Sequence, residues 1–275
     1  MPFEPVAPTI RVEPREIAKD TWVIHSVQQA TGAPLLVHLN SMVIRCAEPI
    51  IVDTSTPANR EQWLTDVFNL VDPDDVRWVF LSHDDSDHAG NLDVVMERCP
   101  KATLIASWAL TERHANAFAF PLDRSRWLDH GDALDVGDRT LRAVRPPLYD
   151  SPTTRGLFDE STGVYWAVDA FACPMPGTVI ESAAEFDRSF WRDGMAMFMH
   201  HALSPWVSIV DRERYAASLQ QSRALGSSTI ASAHSPVIPQ ELIDIAYDLT
   251  LEMPAIVPPP APGQAVLDAI LGVAA

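Results

Sequence analysis

Two histidines and three aspartates fall within six consecutive positions, His83-Asp84-Asp85-Ser86-Asp87-His88, directly after the apolar run Val76 to Leu81. Imidazoles and carboxylates are the groups that hold first-row transition metals and hard divalent ions. An acidic loop this short would repel itself unless a cation neutralised it. The alternation of His83, Asp85 and Asp87, with His88 adjacent, can aim several side chains at one point. The simpler alternative is an Asp-rich turn capping a helix that begins near Asn91, because Asp and Asn are favoured N-caps. The density of metal-binding types favours the metal loop.

Such a loop must be delivered by something rigid, and the flanking chain reads as α/β. Residues 1–20 carry four prolines and read as an extended lead-in. Trp22 to Ser26, Leu35 to Ile44 and Ile50 to Asp53 have the apolar, β-branched texture of strands. Thr56-Pro57 is a helix start, with threonine as N-cap and proline at the first helical position. After the metal loop, Leu92, Val95, Met96 and Cys99 line one face of a helix, and Thr103 to Ala106 followed by a helix over 108–118 repeats the strand-helix unit. From Trp127 to Asp169 short strands alternate with Gly and Asp turns. Residues 183–206 form an apolar helical region, Arg212 to Leu225 and Glu241 to Thr250 are helices, and Thr229 to Ala233 is a strand ending at His234.

The domain organisation expected is one large unit over 1–252, a proline-rich linker over 253–263 with five prolines, and a short apolar docking helix over 264–275. No stretch has the apolar length of a membrane span, and the N-terminus lacks the pattern of a signal peptide, so a cytoplasmic protein without membrane partners is expected. Cys46, Cys99 and Cys173 are far apart and form no CxxC pair, which fits a reducing compartment. The formal net charge of −17 argues against nucleic acid as a partner, because phosphate binding requires a basic surface.

Three further places put a metal-binding residue after an apolar strand. They are Tyr149-Asp150-Ser151-Pro152, Asp169-Ala170-Phe171 and His234-Ser235-Pro236. Ligands gathered from several strand ends are what a metal centre on an α/β scaffold needs. With these segments in view the sequence resembles the metallo-β-lactamase superfamily, whose HxHxDH signature is similar to His83-Asp84-Asp85-Ser86-Asp87-His88 with Asp85 replacing the second histidine. An acidic residue there resembles the flavodiiron and oxygen-binding diiron branch, which has HxExDH. The segments Leu39 to Ile44, Val52-Asp53-Thr54, Asp132 to Leu141, Val168 to Phe171 and His234 to Pro236 extend the similarity over most of the chain.

The resemblance implies a four-layer αβ/βα sandwich of metallo-β-lactamase type. It also implies one metal held by His83, Asp85, Asp150 and a bridging Asp169, and a second held by Asp87, His88, Asp169 and His234. One departure stands out: where the branch has a histidine, this chain has Asp150, or Tyr149 if the register shifts by one. An oxygen-rich, thiolate-free set suits iron, with manganese or zinc as alternatives. His25, His38, His114 and His130 lack partners at ligand spacing and are read as structural, and His200-His201 as a packed helix end.

Two chemistries follow from such a pair of ions. The first is metal-activated hydrolysis of a small, aromatic or apolar substrate, with Asp87 and Asp169 as the catalytic carboxylates; Phe171, Phe190, Trp191, Met195 and Phe198 are candidate pocket walls, although plain core is the commoner fate of most such side chains. The second, implied by the resemblance, is binding or reduction of dioxygen or nitric oxide with electrons from a separate partner. In the branch a flavodoxin-like domain supplies those electrons; no Gly-rich phosphate loop is found here, so no built-in flavin is expected. A non-catalytic sensor or subunit is the third possibility, and a homo-oligomer or pairing with a homologous subunit is the expected assembly. On the sequence alone hydrolysis is read ahead of gas reduction.

Overall fold

The computed structural model describes residues 9–31, 33–114, 122–258 and 260–272. The start of the lead-in, the continuation of the helix from Trp108 to Phe118 and the end of the last helix at Val273 lie outside them. The strands are β1 (Thr9–Arg11), β2 (Arg15–Ala18), β3 (Thr21–Ile24), β4 (Ser26–Gln29), β5 (Leu36–His38), β6 (Ser41–Ile44), β7 (Ile50–Val52), β8 (Trp78–Phe80), β9 (Thr103–Ala106), β10 (Ser125–Trp127), β11 (Ala133–Asp135), β12 (Thr140–Val144), β13 (Gly156–Asp159), β14 (Val164–Trp166), β15 (Thr229–Ala231) and β16 (Ile238–Pro239). The α-helices are α1 (Arg60–Leu70), α2 (Ser86–Ala89), α3 (Leu92–Arg98), α4 (Trp108–His114), α5 (Arg188–Phe198), α6 (Arg212–Arg223), α7 (Gln240–Glu252) and α8 (Gln264–Leu271).

Two sheets face each other. One has the order β10-β9-β8-β7-β6-β3-β2, the other β11-β12-β13-β14-β15-β16, and β1-β4-β5 form a small third sheet. The layering follows from the two-residue period of the strands. In β6, β7 and β8 the residues Met42, Ile44, Ile50, Val52 and Phe80 enter a core shared with Leu141, Leu157, Val164 and Trp166 of the second sheet. Their neighbours Val43, Ile51 and Val79 point the other way, onto Trp63, Leu64 and Val67 of α1 and Leu92 and Val95 of α3. Across the molecule Tyr165 and Ile230 turn outward onto Trp191 and Met195 of α5, Leu219 of α6 and Ala246 of α7. Helices, sheet, sheet and helices make the αβ/βα sandwich, with one core between the sheets and one beneath each helical layer.

The expected single strand from Leu35 to Ile44 is two strands. The chain breaks at Leu39-Asn40, where the Asn40 amide nitrogen donates to the carbonyls of Ser232 and Ser235 and the Asn40 backbone N–H to that of Ala233. A polar residue interrupts the apolar run because it ties the first sheet to the second. The lead-in likewise contains β1 and β2, which pair with β4 and β3. Thr56 caps its helix start as expected, its hydroxyl accepting from Ala58 N–H. None of α8 is buried within the single chain, and Leu267, Ile270 and Leu271 are exposed. Among the described residues no helix is long and apolar enough to cross a membrane.

β7, β8 and β9 run parallel, as do β14 and β15. Their carboxyl ends open on the same edge of the sandwich, where α/β sheets place their ligands. The metal loop leaves β8 there and folds into α2, whose end packs on the Ser55 to Pro57 turn. A Cβ at Gly90 would overlap the Ser86 and Ser55 carbonyls and the Pro57 ring. Backbone cannot yield as a flexible side chain can, so Gly90→Ala is expected to cost about 2 kcal/mol or more, read as a lowered urea midpoint with unchanged slope.

Candidate metal centre

The carboxyl ends of the parallel strands deliver the predicted residues to one place. His83 comes from the loop after β8 and His88 from α2, Asp169 from the turn after β14, His234 from the turn after β15, and Asp150 from the loop after β12. Two of these turns are held in the left-handed region: Val168 has φ of 57° and Asp53 φ of 59°. A β-branched valine there is strained by about 1–3 kcal/mol. Its carbonyl accepts from Ala233 N–H at 2.7 Å and Ser232 Oγ at 2.8 Å, which holds the turn and so the direction of Asp169.

Asp169 sits at the middle. Its Oδ1 lies 3.2 Å from His88 Nε2 and 3.2 Å from His234 Nε2, and its Oδ2 lies 3.4 Å from His83 Nε2. Around it, Asp87 Oδ2 is 3.3 Å from His234 Nε2 and 3.6 Å from His88 Nε2. Asp85 and Asp150 each place an oxygen 3.8 Å from His83 Nε2. Three overlapping groups therefore have ligand atoms within 4.8 Å of one another: His83, His88 and Asp169; Asp87, His88 and His234; and His83, Asp85 and Asp150. All seven predicted residues are brought together. Asp150, not Tyr149, takes the position left by the missing histidine. Tyr149 packs on Trp206 at 5.2 Å between ring centroids, and its carbonyl accepts from the Trp206 indole.

The far side of each ring fixes which nitrogen faces inward. His88 Nδ1 lies 2.9 Å from Asp53 Oδ2, and His234 Nδ1 2.8 Å from the His38 carbonyl. Both partners can only accept, so Nδ1 carries the proton and a neutral ring offers its Nε2 lone pair to the centre. His83 Nδ1 meets the Ser82 hydroxyl at 3.2 Å. Sequence reasoning placed Asp53 at a strand end without giving it this role. It is buried and accepts four hydrogen bonds, from Ser82 N–H and Oγ, His88 Nδ1 and the Trp166 indole of the opposite sheet. The remaining signal was the apolar strand ending in an acid, which alone is indistinguishable from a turn.

The charged groups of the cluster shift one another. Burial alone would push the His88 ring down, but Asp87, Asp53 and Asp169 outweigh it and hold it well above its ordinary value. His83 and His234 are raised against burial by neighbouring carboxylates in the same way. Burial would raise Asp169, yet the imidazoles hold it well below the usual carboxylate range, whereas burial together with Asp169 and Asp85 keeps Asp150 raised despite His83. Meanwhile His88 Nε2 and both oxygens of Asp169 are buried without any hydrogen-bond partner. Orphaned buried acceptors facing one another, with thiolates absent, fit a pair of metal ions.

Of the candidate pocket walls, Phe198 stacks on His234 at 6.1 Å. Phe171 instead packs edge-on against Tyr247 in the core at 5.1 Å, and Trp191 and Met195 are core residues. The bulk of an apolar side chain after a strand says nothing about which layer it enters. Phe190 lines an apolar hollow of about 610 Å³ with Pro174, Met197 and Ile256, but no predicted metal residue touches that hollow. His200 Nε2 donates to the Met253 carbonyl at 3.0 Å, and His25 pairs with Asn40.

A family profile described as ODP family beta lactamase matches residues 37–221. The chain belongs to the ODP beta-lactamase family. Members of the wider relationship include the flavo-diiron protein FprA2 of Clostridium acetobutylicum, 23% identical over 213 residues that cover 74% of this chain and 50% of that one. The anaerobic nitric oxide reductase flavorubredoxin of Vibrio vulnificus is 23% identical over 133 residues, covering 48% and 27%. Among solved structures, rubredoxin oxygen:oxidoreductase from Desulfovibrio gigas superposes with a TM-score of 0.73 at 15% identity, covering 87% of this chain and 61% of that chain. That likeness establishes the family's metallo-β-lactamase fold. The chain thus spans 27% and 50% of these curated relatives.

Because Asp53 receives only donors, Asp53→Asn must turn an amide N–H toward one of them. Metal affinity is expected to fall about 10–100-fold, measured by competition with a chromogenic chelator, with the far-ultraviolet circular dichroism unchanged.

Proposed function

We propose that this chain carries a non-haem diiron centre that binds and reduces a small diatomic gas, dioxygen or nitric oxide, with electrons from a separate donor. The observation that carries this is Asp169, whose two oxygens face different imidazoles in a set of three histidines and four aspartates that contains no thiolate. The family relationship supports it: relatives whose names specify oxygen or nitric oxide reduction share the fold or part of the sequence. Of the two chemistries left open by the sequence, gas reduction is the better supported, and hydrolysis is the reading it displaces.

In this account His83, Asp85 and Asp150 would hold one ion, Asp87, His88 and His234 would hold the other, and Asp169 would serve both. When bound, two iron ions supply reversible one-electron chemistry and Lewis acidity. The protein's part is to orient and to exclude. Asp53 and the His38 carbonyl keep Nε2 of His88 and His234 turned inward, while Phe198 shields the His234 ring. The histidines and Asp169 are buried, whereas Asp85 is 56%, Asp87 25% and Asp150 18% exposed, so a gas and the protons that accompany its reduction reach the centre past these three carboxylates. Four electrons and four protons convert one dioxygen to two waters; two of each convert two nitric oxides to nitrous oxide and water. A polar, partly open rim of carboxylates suits that proton delivery.

Protein loaded anaerobically with ferrous iron and reduced chemically is expected to hold two irons per chain and to consume dioxygen, or to form nitrous oxide from nitric oxide, in proportion to the reductant supplied. Turnover of model esters with no gas consumed would return the assignment to hydrolysis.

A further inference from the structure

The two halves of the centre are unlike in donor type and in the support their ligands receive. The half formed by Asp87, His88 and His234 has two imidazoles and one carboxylate. Both rings are buried, and each is clamped at Nδ1 by a buried acceptor, Asp53 for His88 and the His38 carbonyl for His234. The other half has one imidazole, His83, and two carboxylates. The second nitrogen of His83 meets only the Ser82 hydroxyl, which also donates to Asp53 and lies 3.2 Å from His88 Nδ1. Asp85 is exposed and makes no capping hydrogen bond to the helix it precedes. Asp150 stands where the resemblance expects a third kind of support, an imidazole, and accepts one bond from the Thr154 hydroxyl at 3.2 Å.

Imidazole nitrogen favours the later first-row ions, whereas carboxylate oxygen discriminates little and suits hard ions such as manganese(II). Preorganised, buried ligands also release an ion slowly, since partners that fix a ligating ring are worth about 10–100-fold in affinity. Resting on the dinuclear reading above, we propose that the His83, Asp85 and Asp150 half is an exchangeable site that takes manganese(II) about as readily as iron(II). The Asp87, His88 and His234 half retains its ion. Metal supply then regulates the centre by switching it between mononuclear and dinuclear forms.

The test is anaerobic titration of the metal-free protein with iron(II) or manganese(II) by calorimetry, followed by desalting and elemental analysis. Binding in two steps separated by about 10-fold or more in affinity is expected, with two ions bound in excess metal and one kept after desalting. Manganese-loaded protein should then show the hyperfine-split electron paramagnetic resonance of an isolated ion. Asp85→Asn, at an exposed position, should remove the weak step alone, and Asp150→His should let the second ion survive desalting. Two ions bound in one step and lost together would overturn the proposal, as would Asp150→His leaving retention unchanged in folded protein. Wild-type protein that binds no ion would overturn the dinuclear reading itself.

Discussion

A carboxylate buried among three imidazoles, with neither oxygen hydrogen-bonded, is the constraint on which the rest of this structure depends. An ionised Asp169 would be untenable in an apolar interior, because an isolated buried charge costs far more than any single packing interaction returns. The sandwich solves this by bringing His83, His88 and His234 to it from both sheets. The same geometry can serve as a ligand cage for a cation. The strained Val168 turn is explicable in these terms, since it sets where the carboxylate points.

The supports of that arrangement cross the molecule. Asp53 ends a strand of the first sheet and receives the Trp166 indole from the second, and Asn40 breaks an apolar run to reach the carbonyls beside His234. On the open rim, Asp84 in the metal loop is paired with Arg113 at 3.0 Å and accepts from Thr153 Oγ1 at 2.7 Å. The loop that carries Asp85 is thereby stitched to the one that carries Asp150. The inner rings are thus fixed by contacts from both sheets, and the rim by the Asp84 contacts.

Much of this was legible in the sequence. Strand runs such as Thr103 to Ala106, the Thr56-Pro57 helix start and the two-residue alternation that separates Ile51 from Ile50 and Val52 are local signals, and they carried the fold. The ligating types were visible because a dense run of His and Asp after an apolar strand has few other uses. What could not be read were contacts made across the chain: that Asp53 would orient His88, that a carbonyl of His38 would orient His234, and that Phe171 would enter the core while Phe198 met the site. Chemistry was the other limit. Ligand types alone left hydrolysis and redox open; it is the kinship with flavodiiron proteins, in line with the acidic residue at Asp85, that favours redox.

The most direct test of the central claim is anomalous diffraction at the iron edge from crystals grown anaerobically with iron(II). The account predicts two peaks, one among His83, Asp85 and Asp150 and one among Asp87, His88 and His234, each in contact with a different oxygen of Asp169. A single peak remote from Asp169, or none with the iron present in the crystal, would contradict it.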